Sequence, residues 1–201
     1  MSDENVFAIG EAMPGHYGPA TTGVTLAETA FAGAWNVQGD ACRQDFVDQV
    51  RRHFDVALPI APNTTARTQT LTALWLGPAS WLLVAAGKAV PNGFDSRRDA
   101  LNAVGGAMFD VTASRVAWTV AGTHAATVLA KGCPLDFHPR VFAEGTCAQS
   151  TFGHVNALFY RRAALPVFTL MVARSLARDA WRTLCLSAAP YGYDVLPMRF
   201  F

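Results

Sequence analysis

The chain has 201 residues, 51% of them hydrophobic and only 15% charged, with 16 basic against 15 acidic side chains and a formal net charge of +1. That length allows one large domain or two subdomains sharing a core, with no need of disulfide or metal staples. Six of the 16 basic residues come as the pairs Arg51-Arg52, Arg97-Arg98 and Arg161-Arg162 and the rest are scattered rather than set in a stripe, which argues against nucleic acid as the main partner.

A charged fraction well below the usual quarter describes a surface short of charge. Partner chains covering much of it would explain the shortage, because permanent interfaces resemble a core cut in half. A membrane does not: a spanning helix needs about 20 consecutive apolar residues, and the best run, ALWLGPASWLLVAAG at 73–87, is broken by Gly77-Pro78. The amino end, MSDENVFAIGEAMPGHYG, carries acids where a secretory signal carries bases before an apolar stretch, so the expected location is cytoplasmic.

In chain order, residues 1–20 mix Gly, Pro, Asn and acids without periodicity and read as an extended N-terminal arm. A strand is expected over 31–37. Next, ACRQDFVDQVRRHF at 41–54 spaces Phe46, Val47, Val50 and Phe54 as one helical face, with Asp40 as N-cap. LPIAPNTTART at 58–68 is a loop on its two prolines. LTALWLG (71–77) and SWLLVAA (80–86) form a strand pair around Gly77-Pro78-Ala79. DSRRDALNAVGGAMF at 95–109 is a helix with Ala100, Leu101, Val104 and Met108 on one face, weakened at its end by Gly105-Gly106.

The order then repeats. SRVAWTVAG (114–122) alternates as a strand, and THAATVLAKG (123–132) is a short helix capped by Thr123 and stopped by a left-handed Gly132. HVNALFYRRA (154–163) and LPVFTLMVA (165–173) pair as strands. RSLARDAWRTLCLSAA (174–189) closes the unit, turning Leu176, Ala180, Trp181, Leu184 and Cys185 inward. Two successive β-α-β-β-α units, 21–109 and 110–190, give an α+β fold: tandem ferredoxin-like, or split βαβ, units in which helices pack on two antiparallel-rich sheets.

The richest stretch in chemistry-bearing residues is KGCPLDFHPRVF at 131–142, which brings Lys131, Cys133, Asp136 and His138 within eight positions. Structure accounts for them: a cation suits a helix C-terminus, and an Asp between two prolines accepts backbone N–H bonds in a turn. Spacings of five, nine and seven among Cys133, His138, Cys147 and His154 match no common zinc motif. Cys42, Cys133, Cys147 and Cys185 lack C-x-x-C spacing and read as buried free thiols. No nucleotide loop is present, and Ser80 and Ser114 lack the nucleophile-elbow context. Catalytic, cofactor-binding and metal residues are therefore all expected to be absent from this chain. The trailing YGYDVLPMRFF, 191–201, reads as an aromatic C-terminal tail that docks on a partner through Tyr191, Tyr193, Met198, Arg199, Phe200 and Phe201, types that interfaces enrich.

Read together, LPIAPNT (58–64), WLGPASWLLV (75–84), DVTASRVAWTVAGTHAATVLAKGCPLDFHPRVF (110–142) and RSLARDAWRTL (174–184) resemble the gamma subunit of heterotetrameric bacterial sarcosine oxidase. The 110–133 segment is also similar to the broader aminomethyltransferase-like, folate-binding superfamily. The resemblance implies a non-catalytic assembly subunit. Its partners would be the alpha subunit with folate and NAD, the beta subunit with FAD and FMN, and a delta subunit with zinc. The complex would demethylate sarcosine to glycine, hydrogen peroxide and 5,10-methylenetetrahydrofolate. The rival reading is a stand-alone folate-binding protein or one-carbon transferase with a pocket of Trp118, Phe137 and Arg140, and a third is a regulatory module that dimerises through its apolar surface.

Overall fold

A computed structural model describes residues 13–87 and 92–201. Two sheets stack face to face, each carrying a helix pair on its outer side. The first holds β3 (Gly33–Gln38), β4 (Thr65–Arg67), β5 (Leu71–Gly77), β6 (Ser80–Ala85) and β7 (Ala107–Asp110) in the order β4-β5-β6-β3-β7, every pairing antiparallel. Without the short β4, this is the strand order of a ferredoxin-like unit, with α1 (Gln44–Phe54) and α2 (Phe94–Asn102) as its helices. Phe46, Val50 and Phe54 of α1 and Leu101 of α2 bury against Trp35, Val37, Ala73, Trp81 and Leu83.

The second sheet runs β1 (Gly15–Tyr17), β12 (Tyr193–Phe200), β2 (Val24–Ala30), β8 (Arg115–Ala121), β11 (Val167–Ala173), β10 (Val155–Ala163), β9 (Cys147–Phe152). The helices α3 (Ala125–Ala130) and α4 (Ala177–Ala188) cover its outer face, where Trp118 stacks on Trp181 with ring centroids 5.7 Å apart. Between the sheets, Ala34, Leu74, Leu82 and Val84 meet Ala117, Leu158, Tyr160 and Met171. Alternation explains the layering, because one strand supplies both faces: Val116, Trp118 and Val120 point to the helices while Ala117 points to the other sheet.

Four expectations need correction. Helix 95–109 stops at Asn102, since Gly105 takes φ +76°, and Ala107–Asp110 leaves as β7, the fourth strand of its sheet. Residues 24–30, expected in the first unit, form β2 between β8 and β12, so the described chain runs through the second sheet, crosses to the first and returns. Residues 191–201 are not a free tail: β12 pairs in parallel with β2 from Tyr193↔Val24 to Phe200↔Ala30. The physical reason lies in Tyr193 and Val195, which alternate inward onto the helix-side core. Residues 15–17 of the expected arm are strand β1.

Smaller differences have local causes. Asp40 accepts from the Cys42 N–H at 2.9 Å in a turn ahead of α1, and Arg43 takes the N-cap position. Leu176 sits in a 3-10 turn before α4 and is 40% exposed rather than inward. Gly132 is not left-handed: a Cβ there would come 2.6 Å from the Phe152 ring, so glycine serves the close approach of helix and strand.

Candidate functional site

Residues 131–142 do not converge on one point. The Lys131 ammonium donates to the Ser187 carbonyl at 3.1 Å and lies 4.4 Å from the centre of the Tyr191 ring, bonding α3 to the end of α4. Cys133 is buried in the helix-side core. Asp136 accepts from the His138 N–H at 2.8 Å, and His138 Nδ1 accepts from the Arg140 N–H at 3.3 Å, so both acceptors serve turns. Phe137 packs on Phe142, Phe159 and Phe168 with centroids 5.2–5.6 Å apart. Trp118 lies in the same core while Arg140 is exposed, so Trp118, Phe137 and Arg140 do not frame the pocket that the folate-binding alternative needs.

Neither Cys147 nor Cys185 is poised as a nucleophile. Burial pushes Cys147 up to about 11, although its Sγ donates to the carbonyls of Thr64 at 3.3 Å and Trp75 at 3.5 Å. Burial also raises Cys185, which bonds to Tyr193. Among the described residues no three His, Cys, Asp or Glu side chains gather as a metal would need.

The motif Asp110-Val111-Thr112-Ala113-Ser114-Arg115 lines a cavity. Here the chain passes from β7 of the first sheet to β8 of the second through a single 3-10 turn. Asp110 Oδ1 accepts from the Thr112 N–H at 2.8 Å, and Ser114 Oγ donates to the Val111 carbonyl at 2.9 Å. Thr112 Oγ1 accepts from the Ala34 N–H at 2.8 Å and donates to the Ala34 carbonyl at 3.3 Å, riveting the turn to β3. Arg174 clamps it from the other side, donating through Nε to the Ala113 carbonyl and through Nη2 to the Arg115 carbonyl. The polar atoms of the motif thus hold the joint between the sheets. Beside it lies a cavity of about 360 Å³, walled also by Glu28, Thr29, Phe31 and Val116. Burial lowers the pKa of the half-buried Arg115 guanidinium on its wall.

The expected tail residues separate into two sets. Tyr193 is 7% and Phe201 4% exposed. Phe201 stacks on Tyr160 at 6.2 Å, meets the edge of Phe31 at 6.2 Å and lies under Arg162 at 5.2 Å. Tyr191 is half-buried and stacks on His124 at 4.6 Å. Met198, Arg199 and Phe200 are exposed, on the stretch of β12 that β1 does not reach, because β1 ends its pairing at Val195. Sequence reasoning missed the tie that sets β1 there: His16 Nδ1 is 2.6 Å from Asp194 Oδ1, and Thr22 Oγ1 donates to Asp194 Oδ2 at 3.0 Å. Only the pairing of β1 with β12, invisible in a 178-residue separation, brings them together.

A model of the sarcosine oxidase, gamma subunit family matches residues 38–190. Sarcosine oxidase subunit gamma of Corynebacterium sp. (strain U-96) is 36% identical over 107 residues, 53% of this chain and 51% of that protein. The subunit gamma of Corynebacterium sp. (strain P-1) is 33% identical over 91 residues, 44% of this chain and 42% of that protein. These alignments span about half the length of the curated relatives. Among solved structures, the heterotetrameric sarcosine oxidase from Corynebacterium sp. U-96 in complex with pyrrole 2-carboxylate superposes with a TM-score of 0.78 and 25% identity, over 87% of this chain and 88% of that one. The glycine cleavage system aminomethyltransferase T from Bartonella henselae superposes with a TM-score of 0.56 at 14% identity, covering 88% of this chain and 48% of that one, a likeness of fold alone.

Proposed function

Because this chain belongs to the sarcosine oxidase gamma subunit family, we propose that it is the structural, non-catalytic gamma subunit of a heterotetrameric sarcosine oxidase working in the cytoplasm. In this reading the alpha, beta and delta subunits are its partners and carry the tetrahydrofolate, NAD, FAD, FMN and zinc. The assembly oxidatively demethylates sarcosine with oxygen, giving glycine, hydrogen peroxide and 5,10-methylenetetrahydrofolate. The gamma chain holds the catalytic subunits in register, because reacting groups on separate chains need a fixed mutual geometry.

The observation that supports this most is the superposition on one chain of a heterotetrameric sarcosine oxidase over nearly the full length of both. Two features of the chain agree with it. Its chemistry-bearing motifs are spent on turns and on the joint between sheets, and its surface leaves large apolar side chains uncovered, among them Val141 at 63%, Leu165 at 74% and Leu186 at 66% exposed. No helix among the described residues is long and apolar enough to cross a membrane, and these exposed side chains are surface available to protein partners. Met198, Arg199 and Phe200, exposed on the stretch of β12 beyond its pairing with β1, are one contact in the proposal. Co-expressing the four genes with and without this one tests it. Loss of the stable, flavin-bearing assembly on omission is expected, and an intact, fully active assembly of the remaining chains would overturn it.

A further inference from the structure

The last turn of α1 and the first turn of α2 meet at one end of the five-stranded sheet around a cleft of about 390 Å³. Arg52, His53 and Arg97 line it against the single acid Asp55, with Trp35 and Phe54 as its apolar walls. Nothing in the proposed subunit role uses this cleft. A volume of this size, with aromatic walls and a few charged groups, falls within the range of small-ligand sites.

The arginines of α2 are treated differently by the fold. Arg98 is bound by two carboxylates, Asp95 at 3.0 Å and Asp99 at 3.2 Å. Arg97 has none: its guanidinium carbon lies 5.2 Å from the Phe54 ring centre and 6.0 Å from that of Trp35. Among the described residues neither Arg97 nor Arg52 forms an ion pair. Resting on ring faces holds a guanidinium in place, but it satisfies none of its five N–H donors, which suit the oxygens of a carboxylate or phosphate. Asp55, the acid at the rim, terminates α1 with φ 51° and is exposed, so it does not neutralise the cleft.

We infer that this cleft is an anion-binding site in which Arg97, backed by Arg52, holds a carboxylate or phosphate group. The group comes either from a small molecule or from an acidic side chain of a partner subunit, and the chemistry is the same. The test compares wild type with Arg97→Gln, Arg97→Lys and Arg98→Gln, each as the full chain and within its co-purified assembly. Hydrogen exchange of the first turn of α2 is followed in inorganic phosphate at constant ionic strength, so that screening does not vary.

For a free anion, phosphate slows exchange in wild type and Arg98→Gln, and the half-saturating concentration rises about tenfold in Arg97→Gln, the loss of one charge-assisted bond. Arg97→Lys, which keeps the charge but not the fork, falls between. For a partner carboxylate, exchange is slow in the assembly without phosphate, and Arg97→Gln alone releases it. The inference is overturned if phosphate acts equally on wild type and Arg97→Gln, or if neither phosphate nor assembly changes exchange there. Far-UV circular dichroism establishes that each variant folds, and Arg97→Lys carries the test if the glutamine variant does not.

Discussion

Replacing Phe201 by Ala separates the two jobs of the C-terminal strand. Its side chain is 4% exposed, seated between Tyr160, Phe31 and Arg162, and its N–H bonds the Ala30 carbonyl at 2.8 Å. Phe-to-Ala changes in cores cost about 3–5 kcal/mol, the lower end applying where the site can collapse. About 3 kcal/mol is a little over two decades in an equilibrium constant, so β12 amides should exchange on the order of a hundredfold faster. The paired change Met198→Ser with Arg199→Ser removes two exposed side chains, and surface substitutions stay within about 0.5 kcal/mol. That variant should keep its exchange pattern and instead weaken binding to partner subunits, read by size-exclusion chromatography of the assembly. Unchanged exchange in Phe201→Ala, or intact assembly in the double variant, would refute the division.

Other outcomes are equally specific. Gly132→Ala must push against Phe152 and should cost about 1–3 kcal/mol, whereas Gly77→Ala, with nothing within 4 Å of the added Cβ, should be neutral in the same denaturant titration. Arg161→Leu leaves the buried carbonyl of Phe142 without its donor, along with the more accessible carbonyls of Ala163 and Ala164, and should destabilise the fold by about 1–3 kcal/mol for the one group left buried and unpaired. Asp194 raises His16 above 6.5 and His16 lowers Asp194 below 3.8. The histidine contribution is complete below its unfolded value and fades as pH rises through the raised one. The aspartate contribution is complete above its unfolded value and fades as pH falls through the lowered one. Protection of β1 should therefore peak between pH 3.8 and 6.5, the ordinary values of the two groups, and His16→Gln should flatten the alkaline side. Titration of the folded chain with a thiol reagent near neutral pH should modify the exposed Cys42 first and Cys147 last.

Much of the architecture was legible in the chain. Phe46, Val50 and Phe54 mark α1 by helical spacing, and the apolar runs at 71–77 and 80–86 mark β5 and β6, because strands and helices that bury a face must show its period. What escaped was each unit's last strand and the exchange of β2. The glycines at 105 and 106 read as a weak final turn, but they end the helix and free Ala107–Asp110 to pair with β3. β9, Cys147–Phe152, exposes Gln149 and Thr151 at a sheet edge and so lacks a strong apolar signal. β12 carries Pro197, which suggests a tail, and tolerates it where β1 no longer pairs. That β2 joins the second sheet depends on contacts across the chain, with Leu26 opposite Val120 and Val195, and no local pattern encodes such a partner. The reading of Asp136 as a turn residue rested on local chemistry, and its bond to the His138 N–H has that form.

The central claim is tested most directly by tagging this chain in its native host under sarcosine-inducing growth, purifying it gently, and recording the native mass with the visible absorption spectrum. The account predicts a yellow, flavin-bearing complex several times heavier than the 21.6 kDa chain. A colourless particle of one or two chains would contradict it.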